Sequence, residues 1–225
     1  METISFGEIS FKFEPIVDPA GNVFGFEVLI RDIKHKDYST GKILSFSELR
    51  LPEKIDVFNM QLDLFYKRRH IYHNNKLKVS LNVDLDIGEH IVSSGYLQKK
   101  LKEMSFIRLE IHEEFPELYL PQPHRILQEL STCCVLWLDD FTFEQEYVPL
   151  RSRPMQFEFI KIDKNFFWKH QGTSQLTLTL KQLREVSAGV IIEGIETIEQ
   201  KSLLNGLEVA GMQGYLWPAH LQPNL

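Results

Sequence analysis

Six short apolar runs in this chain each give way to an acidic, amide or basic side chain. Leu77 to Leu81 leads to Asn82 and Asp84, Ile107 to Leu109 leads to Glu110, and Val135 to Leu138 leads to Asp139 and Asp140. Phe159 and Ile160 precede Lys161 and Asp163, Val190 to Ile192 precede Glu193, and Val209 to Met212 precede Gln213. Such oxygen donors suit hard divalent cations, and a pair of those ions can generate a hydroxide and stabilise the oxygens of an in-line phosphate displacement. In a barrel of parallel strands, only the strand ends at one rim can aim several side chains at a shared point. The pattern therefore reads as a rim loaded with metal ligands. A lone Glu27 or Lys161 at a strand end is more often half of a structural ion pair, but so many carboxylates at one rim would repel one another unless cations were present.

The elements that must carry these groups alternate between strand and helix patterns, which predicts an α/β architecture with a parallel sheet. Phe11 to Val17 and Val23 to Ile30 read as two strands, and the short link Asp18-Pro19-Ala20-Gly21-Asn22 between them suits an antiparallel pair. Pro52 to His73 reads as one long helix, with Pro52 in its first turn and Ile55, Phe58, Leu62 and Phe65 on one face. Further helices are predicted at about Ile87 to Lys102, Pro123 to Leu130 and Ser174 to Val186. In the last of these Leu176, Leu178 and Leu180 alternate as in a strand, so its type stays open. Thr197 with Gln200 three residues on is a capping-box signature for a helix that Gly206 can end. Cys133 and Cys134, adjacent at the start of an apolar run, read as buried small side chains pointing to opposite faces of a strand, with neither disulfide geometry nor zinc-site spacing.

Length and composition narrow the classes. At 225 residues, 43% hydrophobic and 25% charged, the chain can bury a large core, and one barrel-sized domain accounts for it better than two small ones. A formal net charge of -6 provides no basic footprint for direct DNA binding, and the basic stretch Lys67 to His70 reads as a solvated helix face. There is no apolar run of about 18 residues and no signal-like core in Met1 to Ile9, so the expectation is a cytoplasmic protein without a membrane partner.

Eight motifs occur in an order that resembles the EAL domain family, the bacterial cyclic di-GMP phosphodiesterase fold. They are Phe13-Glu14-Pro15-Ile16-Val17, Glu27-Val28-Leu29-Ile30-Arg31, Leu81-Asn82, Leu109-Glu110-Ile111-His112-Glu113, Asp139-Asp140-Phe141, Lys161-Ile162-Asp163, Glu193-Gly194-Ile195-Glu196-Thr197 and Gln213-Gly214-Tyr215-Leu216. The resemblance runs from about Phe11 to Leu221 and implies a single EAL domain, a modified TIM (β/α)8 barrel of EAL type with one antiparallel strand. It also implies two Mg2+ or Mn2+ ions held by Glu27, Asn82, Glu110, Asp139 and Asp140, with Lys161 and Glu193 positioning and activating the attacking water. By the same resemblance Asp163, Glu196 and Gln213 complete the surroundings of the ions, Arg31 contacts a substrate phosphate, and Glu113 braces the loop after Asp140.

Three departures bear on activity. After Asp139-Asp140-Phe141 the family's Gly-Thr-Gly is replaced by Thr142-Phe143-Glu144-Gln145-Glu146, and a β-branched threonine where glycine reaches positive φ implies strain, leaving the aim of Asp140 open. Glu14 stands where the family has a substrate-contacting glutamine. An unpaired carboxylate about 6 Å from a phosphate costs about 3 kcal/mol at an effective dielectric near 20, roughly a hundredfold in affinity. The tail runs Trp217-Pro218-Ala219-His220 and resembles small enterobacterial EAL-like proteins that bind the flagellar master transcription activator. Phe143 and Trp168 are candidate exposed anchors for such a partner, or else they pack on the barrel. The expectation is a degenerate EAL protein with weak or no phosphodiesterase activity that regulates motility by binding that activator. The alternative is an active Mg2+/Mn2+-dependent enzyme opening cyclic di-GMP to the linear dinucleotide pGpG, and a receptor that binds without cleaving is the third reading.

Overall fold

The computed structural model describes residues 5–6, 9–33, 46, 49–119, 125–142 and 157–219. The strands are β1 (Ser5–Phe6), β2 (Ile9–Val17), β3 (Val23–Ile33), β4 (Lys78–Val83), β5 (Ile107–His112), β6 (Val135–Phe141), β7 (Phe157–Ile162), β8 (Ser187–Ile192) and β9 (Gly211–Met212). They pair in sequence order, and a β2–β9 pairing closes β2 to β9 into an eight-stranded barrel. From β3 to β9 each neighbour is parallel, whereas β2 runs antiparallel to both β3 and β9. The reversal follows from the tight link after Val17. There the backbone N–H groups of Gly21 and Asn22 bond to the backbone and side-chain oxygens of Asp18 at 2.9 and 2.8 Å, while Gly21 takes a φ of +92°.

The helices depart from the sequence reading where local competition or distant packing decides. The helix expected over 52–73 is two, Leu51–Lys67 and Arg69–Asn74, broken at Arg68. The break turns Tyr72 onto Phe106, with ring centroids 5.1 Å apart, and against the edge of Phe65 at 5.3 Å. The basic stretch Lys67 to His70 straddles that break. The helix expected over 87–102 is also two, Leu85–Val92 and Gly95–Lys102. Between them Ser93 donates its hydroxyl to the His90 carbonyl and Ser94 accepts the Leu97 N–H, the local bonding by which serine interrupts a helix. Ser174–Leu183 is helical, because Leu176, Leu180 and Leu183 are buried on one face while Leu178 lies outside. The helix expected from Pro123 is described from Arg125 and runs to Cys133. Cys133 therefore ends a helix instead of beginning a strand. Both thiols are free and buried, and burial pushes Cys134 up to about 12. The capping box at Thr197 is formed, and its helix Ile198–Leu203 ends ahead of Gly206.

Two apolar regions hold the barrel. The larger lies between strands and helices and includes Phe13, Val28, Phe58, Leu62 and Phe65, all buried. The smaller is a separate cluster of Ile16, Trp137 and Ile191, with Phe24 and Phe159 packed against it. Next to it Glu158 accepts from Arg108 Nε at 2.5 Å and from the Trp137 indole N–H at 2.8 Å, with Lys78 Nζ 3.2 Å away. No helix among the described residues is long and apolar enough to cross a membrane.

Candidate metal centre

Strand alternation explains why the polar groups converge. Glu14, Asp139, Lys161 and Glu193 each stand two residues from a member of the small apolar cluster, respectively Ile16, Trp137, Phe159 and Ile191. Residues two apart on a strand share a face, so each polar group stands one pleat above that plug. Glu27, Asn82 and Glu110 join them from β3, β4 and β5, and Gln213 follows directly after β9.

Lys161 is fully buried at the centre. Its Nζ lies 2.7 Å from Glu193 Oε1, 2.8 Å from Asp139 Oδ1, 3.0 Å from Glu27 Oε2 and 3.4 Å from Glu110 Oε1. Gln213 Nε2 donates to Glu27 Oε2 at 2.6 Å and to Glu14 Oε2 at 3.2 Å, and Asn82 Nδ2 donates to Glu27 Oε1 at 3.3 Å. The charge of Glu14 is met by Lys12, whose Nζ is 2.6 Å from Glu14 Oε1. The unpaired carboxylate assumed from the sequence is thus a paired one.

Burial dominates the ionisation of this cluster. It pushes the carboxyls of Glu110, Asp139 and Glu193 above the ordinary range against the pull of Lys161. At Glu27 burial acts in the same sense, but Lys161 and the hydrogen bonds from Gln213, Lys161 and Asn82 outweigh it and leave that carboxyl lowered. Burial likewise works against the Lys161 ammonium, and the surrounding carboxylates overcome it, holding the lysine charged.

The residues fit a divalent cation. One oxygen from each of Glu27, Glu110 and Asp139, and likewise from each of Asp139, Asp140 and Glu193, lies within 4.8 Å of the others. The Gln213 carbonyl oxygen is buried with no hydrogen-bond partner, a deficit that a hard cation ringed by oxygens removes. The cage opens into a cavity of about 730 Å3 whose lining includes Lys12, Leu29, Asp84 and Phe115, but not Arg31, Asp163 or Glu196. Arg31 lies exposed on β3. Asp163 accepts from the Asn165 and Phe166 N–H groups as the cap of helix Lys164–His170, and the Glu196 backbone N–H donates to Gln200.

The strand ends on either side of Asp140 are tied together. Glu113 Oε2 accepts from the Thr142 N–H at 3.0 Å and from its hydroxyl at 3.3 Å. The positive φ expected at Thr142 falls instead on Asp140, at +52°, a conformation that aspartate tolerates far better than a β-branched residue. Asp140 Oδ2 lies 3.2 Å from His112 Nε2, and His112 Nδ1 accepts the Glu114 N–H at 3.1 Å. The His112 bond holds the Asp140 carboxyl below its ordinary range, and Asp140 in turn raises His112. The sequence alone gives His112 no role. Its spacing of two residues from Glu110 was the available signal. Loop residues 143–146, including Phe143, and the tail from His220 lie outside the described residues. Trp168 is exposed at 36%, and its indole N–H donates to the Gly194 carbonyl at 2.7 Å.

The sequence profile of the EAL domain matches residues 1–219. Cyclic di-GMP phosphodiesterase PdeH of Escherichia coli K12 is 22% identical over 203 residues, 86% of this chain and 76% of PdeH. Cyclic di-GMP phosphodiesterase PdeL of the same organism is 27% identical, and the match covers 96% of this chain but only 64% of PdeL. The putative anti-FlhC(2)FlhD(4) factor YdiV, also from Escherichia coli K12, is 24% identical, with 92% of this chain and 89% of YdiV covered. The crystal structure of the EAL-like domain protein YdiV superposes with a TM-score of 0.79 at 22% identity, over 94% of this chain and 92% of that one. The manganese/cyclic di-GMP complex of Klebsiella pneumoniae BlrP1 reaches 0.71 at 20% identity, over 96% and 56%. At such identities the likeness shows a shared fold, the closed mixed barrel of EAL type.

Proposed function

The chain belongs to the EAL domain family, and on that premise we propose that it is a degenerate member with weak or no cyclic di-GMP hydrolysis. It regulates flagellar motility by binding the flagellar master transcription activator. The observation that carries this reading is the likeness to YdiV, which covers nearly the full length of both chains in sequence and in fold. It is tested by mixing the purified protein with an FlhC/FlhD complex and following co-elution. The complex should form equally with wild type and with Glu193→Ala, and cyclic di-GMP with Mn2+ should be turned over no faster by wild type than by that variant. Turnover that Glu193→Ala abolishes, without complex formation, overturns the proposal.

The converging cage favours a second reading, a Mg2+- or Mn2+-dependent phosphodiesterase that opens cyclic di-GMP to pGpG. Glu27, Asn82, Glu110 and Asp139 would hold one ion, and Asp139 and Asp140 the other. Such ions, when bound, supply a Lewis acid and a water of lowered pKa. Lys161 would hold Glu193 toward the cage through its 2.7 Å ion pair. Glu193, its carboxyl raised by burial, would carry a proton between water and solvent.

A further inference from the structure

We propose that His112 is the positioning residue for Asp140: it donates one hydrogen bond that keeps the Asp140 carboxylate turned toward the cage as a ligand for the second divalent ion. The inference rests on the reading that the cage takes such ions. Its ground is the juxtaposition of three local features. Asp140 sits at a φ of +52° at the last bend of β6, with its side chain 42% exposed, so nothing in its own strand prevents the carboxylate from swinging outward. His112 ends β5, the neighbouring strand, and is paired in register with Asp139, so its ring stands beside Asp140. Nε2 lies 3.2 Å from Asp140 Oδ2.

The third feature decides what the imidazole can do. Glu114 aims its backbone N–H at Nδ1, so Nδ1 is an acceptor and the proton of the neutral ring is on Nε2. A ring fixed in that tautomer donates from Nε2 and has no lone pair there to offer a metal. His112 therefore serves Asp140 without being a ligand itself, the outer role that orients metal-binding carboxylates. The Glu113 carboxylate fixes the Thr142 backbone on the other side, so consecutive side chains at the end of β5 hold the exit of β6 by its carboxylate and by its main chain. The whole arrangement is local to two strand ends and leaves Glu27 and Glu110 untouched.

The test is calorimetric titration of the full chain with Mn2+, together with the electron paramagnetic resonance of the bound ions. Wild type should take two ions. His112→Ala should keep one ion within about twofold of its wild-type affinity and weaken the other 10- to 100-fold, the usual effect of losing such an outer partner. His112→Gln should restore the second ion, because its amide nitrogen reaches as far as Nε2 and also donates. Thermal melting of His112→Ala, at a half-exposed position, should stay near wild type. If His112→Ala binds both ions as wild type does, or His112→Gln behaves like His112→Ala, the positioning role is wrong. A wild-type protein that binds a single ion refutes it too. One that binds none removes the cage reading itself, which separates the two failures.

Discussion

Replacing Lys161 by methionine takes one positive charge from the middle of a buried cluster while nearly conserving side-chain length. The ammonium stands 2.7 to 3.4 Å from four carboxylates. Each contact amounts to about 5–6 kcal/mol at an effective dielectric near 20, but these cannot be summed, because the carboxylates repel one another and can take up protons instead. Protonation caps the loss. Holding one carboxyl with an ordinary value of 4.5 protonated at pH 7 costs about 3.4 kcal/mol, within the roughly 3–5 kcal/mol seen when a buried pair loses one partner. For a chain of this size that lowers Tm by about 7–14 °C. The folded variant then holds one more proton than the unfolded chain, so its stability falls as pH rises above the ordinary carboxyl value. It should be regained on acidification toward pH 5 at about 1.4 kcal/mol per pH unit beyond any change in wild type. Mn2+ restores the missing charge, and should raise the Tm of the variant more than that of wild type. The assay is thermal melting from pH 5 to 7.5 with and without Mn2+. A variant that melts within 2 °C of wild type at pH 7, with no added response to pH or Mn2+, would refute the view that Lys161 is the internal counterion of the cage.

Three other substitutions probe the frame around the site. Glu117→Ala should cost about 1–3 kcal/mol in denaturant unfolding, since the buried Glu117 carboxylate accepts the otherwise orphaned N–H groups of Ile126 and Leu127 at the start of helix Arg125–Cys133. Gly194→Ala should destabilise by about 2 kcal/mol or more and weaken Mn2+ binding. Gly194 has a φ of +73°, and a Cβ there would lie 2.4 Å from that of Lys164, displacing the loop that carries Glu193. Glu158→Gln should cost about 2–4 kcal/mol at pH 7 by leaving Arg108 without its carboxylate. Burial raises the Glu158 carboxyl, but Arg108, Trp137 and Lys78 hold it below 4.5. Its stabilisation is present above that value and lost as pH falls through the lower folded one, so the gap between wild type and variant should close below pH 4.5.

The barrel and its rim were legible because the parallel strands from β4 on are apolar runs ending near a polar residue, and alternation then places Asp139, Lys161 and Glu193 on one face, whereas Glu14 and Glu27, inside longer strands, are marked only by the family resemblance. What escaped the sequence depended on contacts between distant segments or on competing local bonds. The break at Arg68 answers to Phe106, 38 residues further on, and the break at Ser93-Ser94 to two hydroxyl bonds that periodicity does not register. Leu176 and Leu180 are a strand's alternation and a helix's i, i+4 pair at once, and only the burial of Leu183 with the exposure of Leu178 separates them. The Asp140 clamp was half legible. The family resemblance marks Glu113 as a brace, whereas the approach of His112 to Asp140 arises only when β5 and β6 lie side by side.

Glu14 shows how far a missing partner can mislead. Taken alone, its carboxylate implies a penalty of about 3 kcal/mol on a nearby phosphate. With Lys12 Nζ 2.6 Å away, the phosphate meets a pair of opposite charges instead. If the carboxylate stands about 6 Å and the ammonium about 8 Å from the phosphate, the net effect at the same dielectric is about 0.7 kcal/mol, roughly threefold in affinity. Each charge removed singly should still expose the other: Glu14→Gln should tighten cyclic di-GMP binding by up to about a hundredfold and Lys12→Met should weaken it by up to about thirtyfold. The double variant should return to within a few-fold of wild type. Calorimetry in Ca2+ measures all four proteins, and the cycle rather than any single variant carries the information. A Lys12→Met protein that binds the dinucleotide as wild type does would show that the pair does not face the ligand, and the charge of Glu14 would then have no bearing on nucleotide affinity.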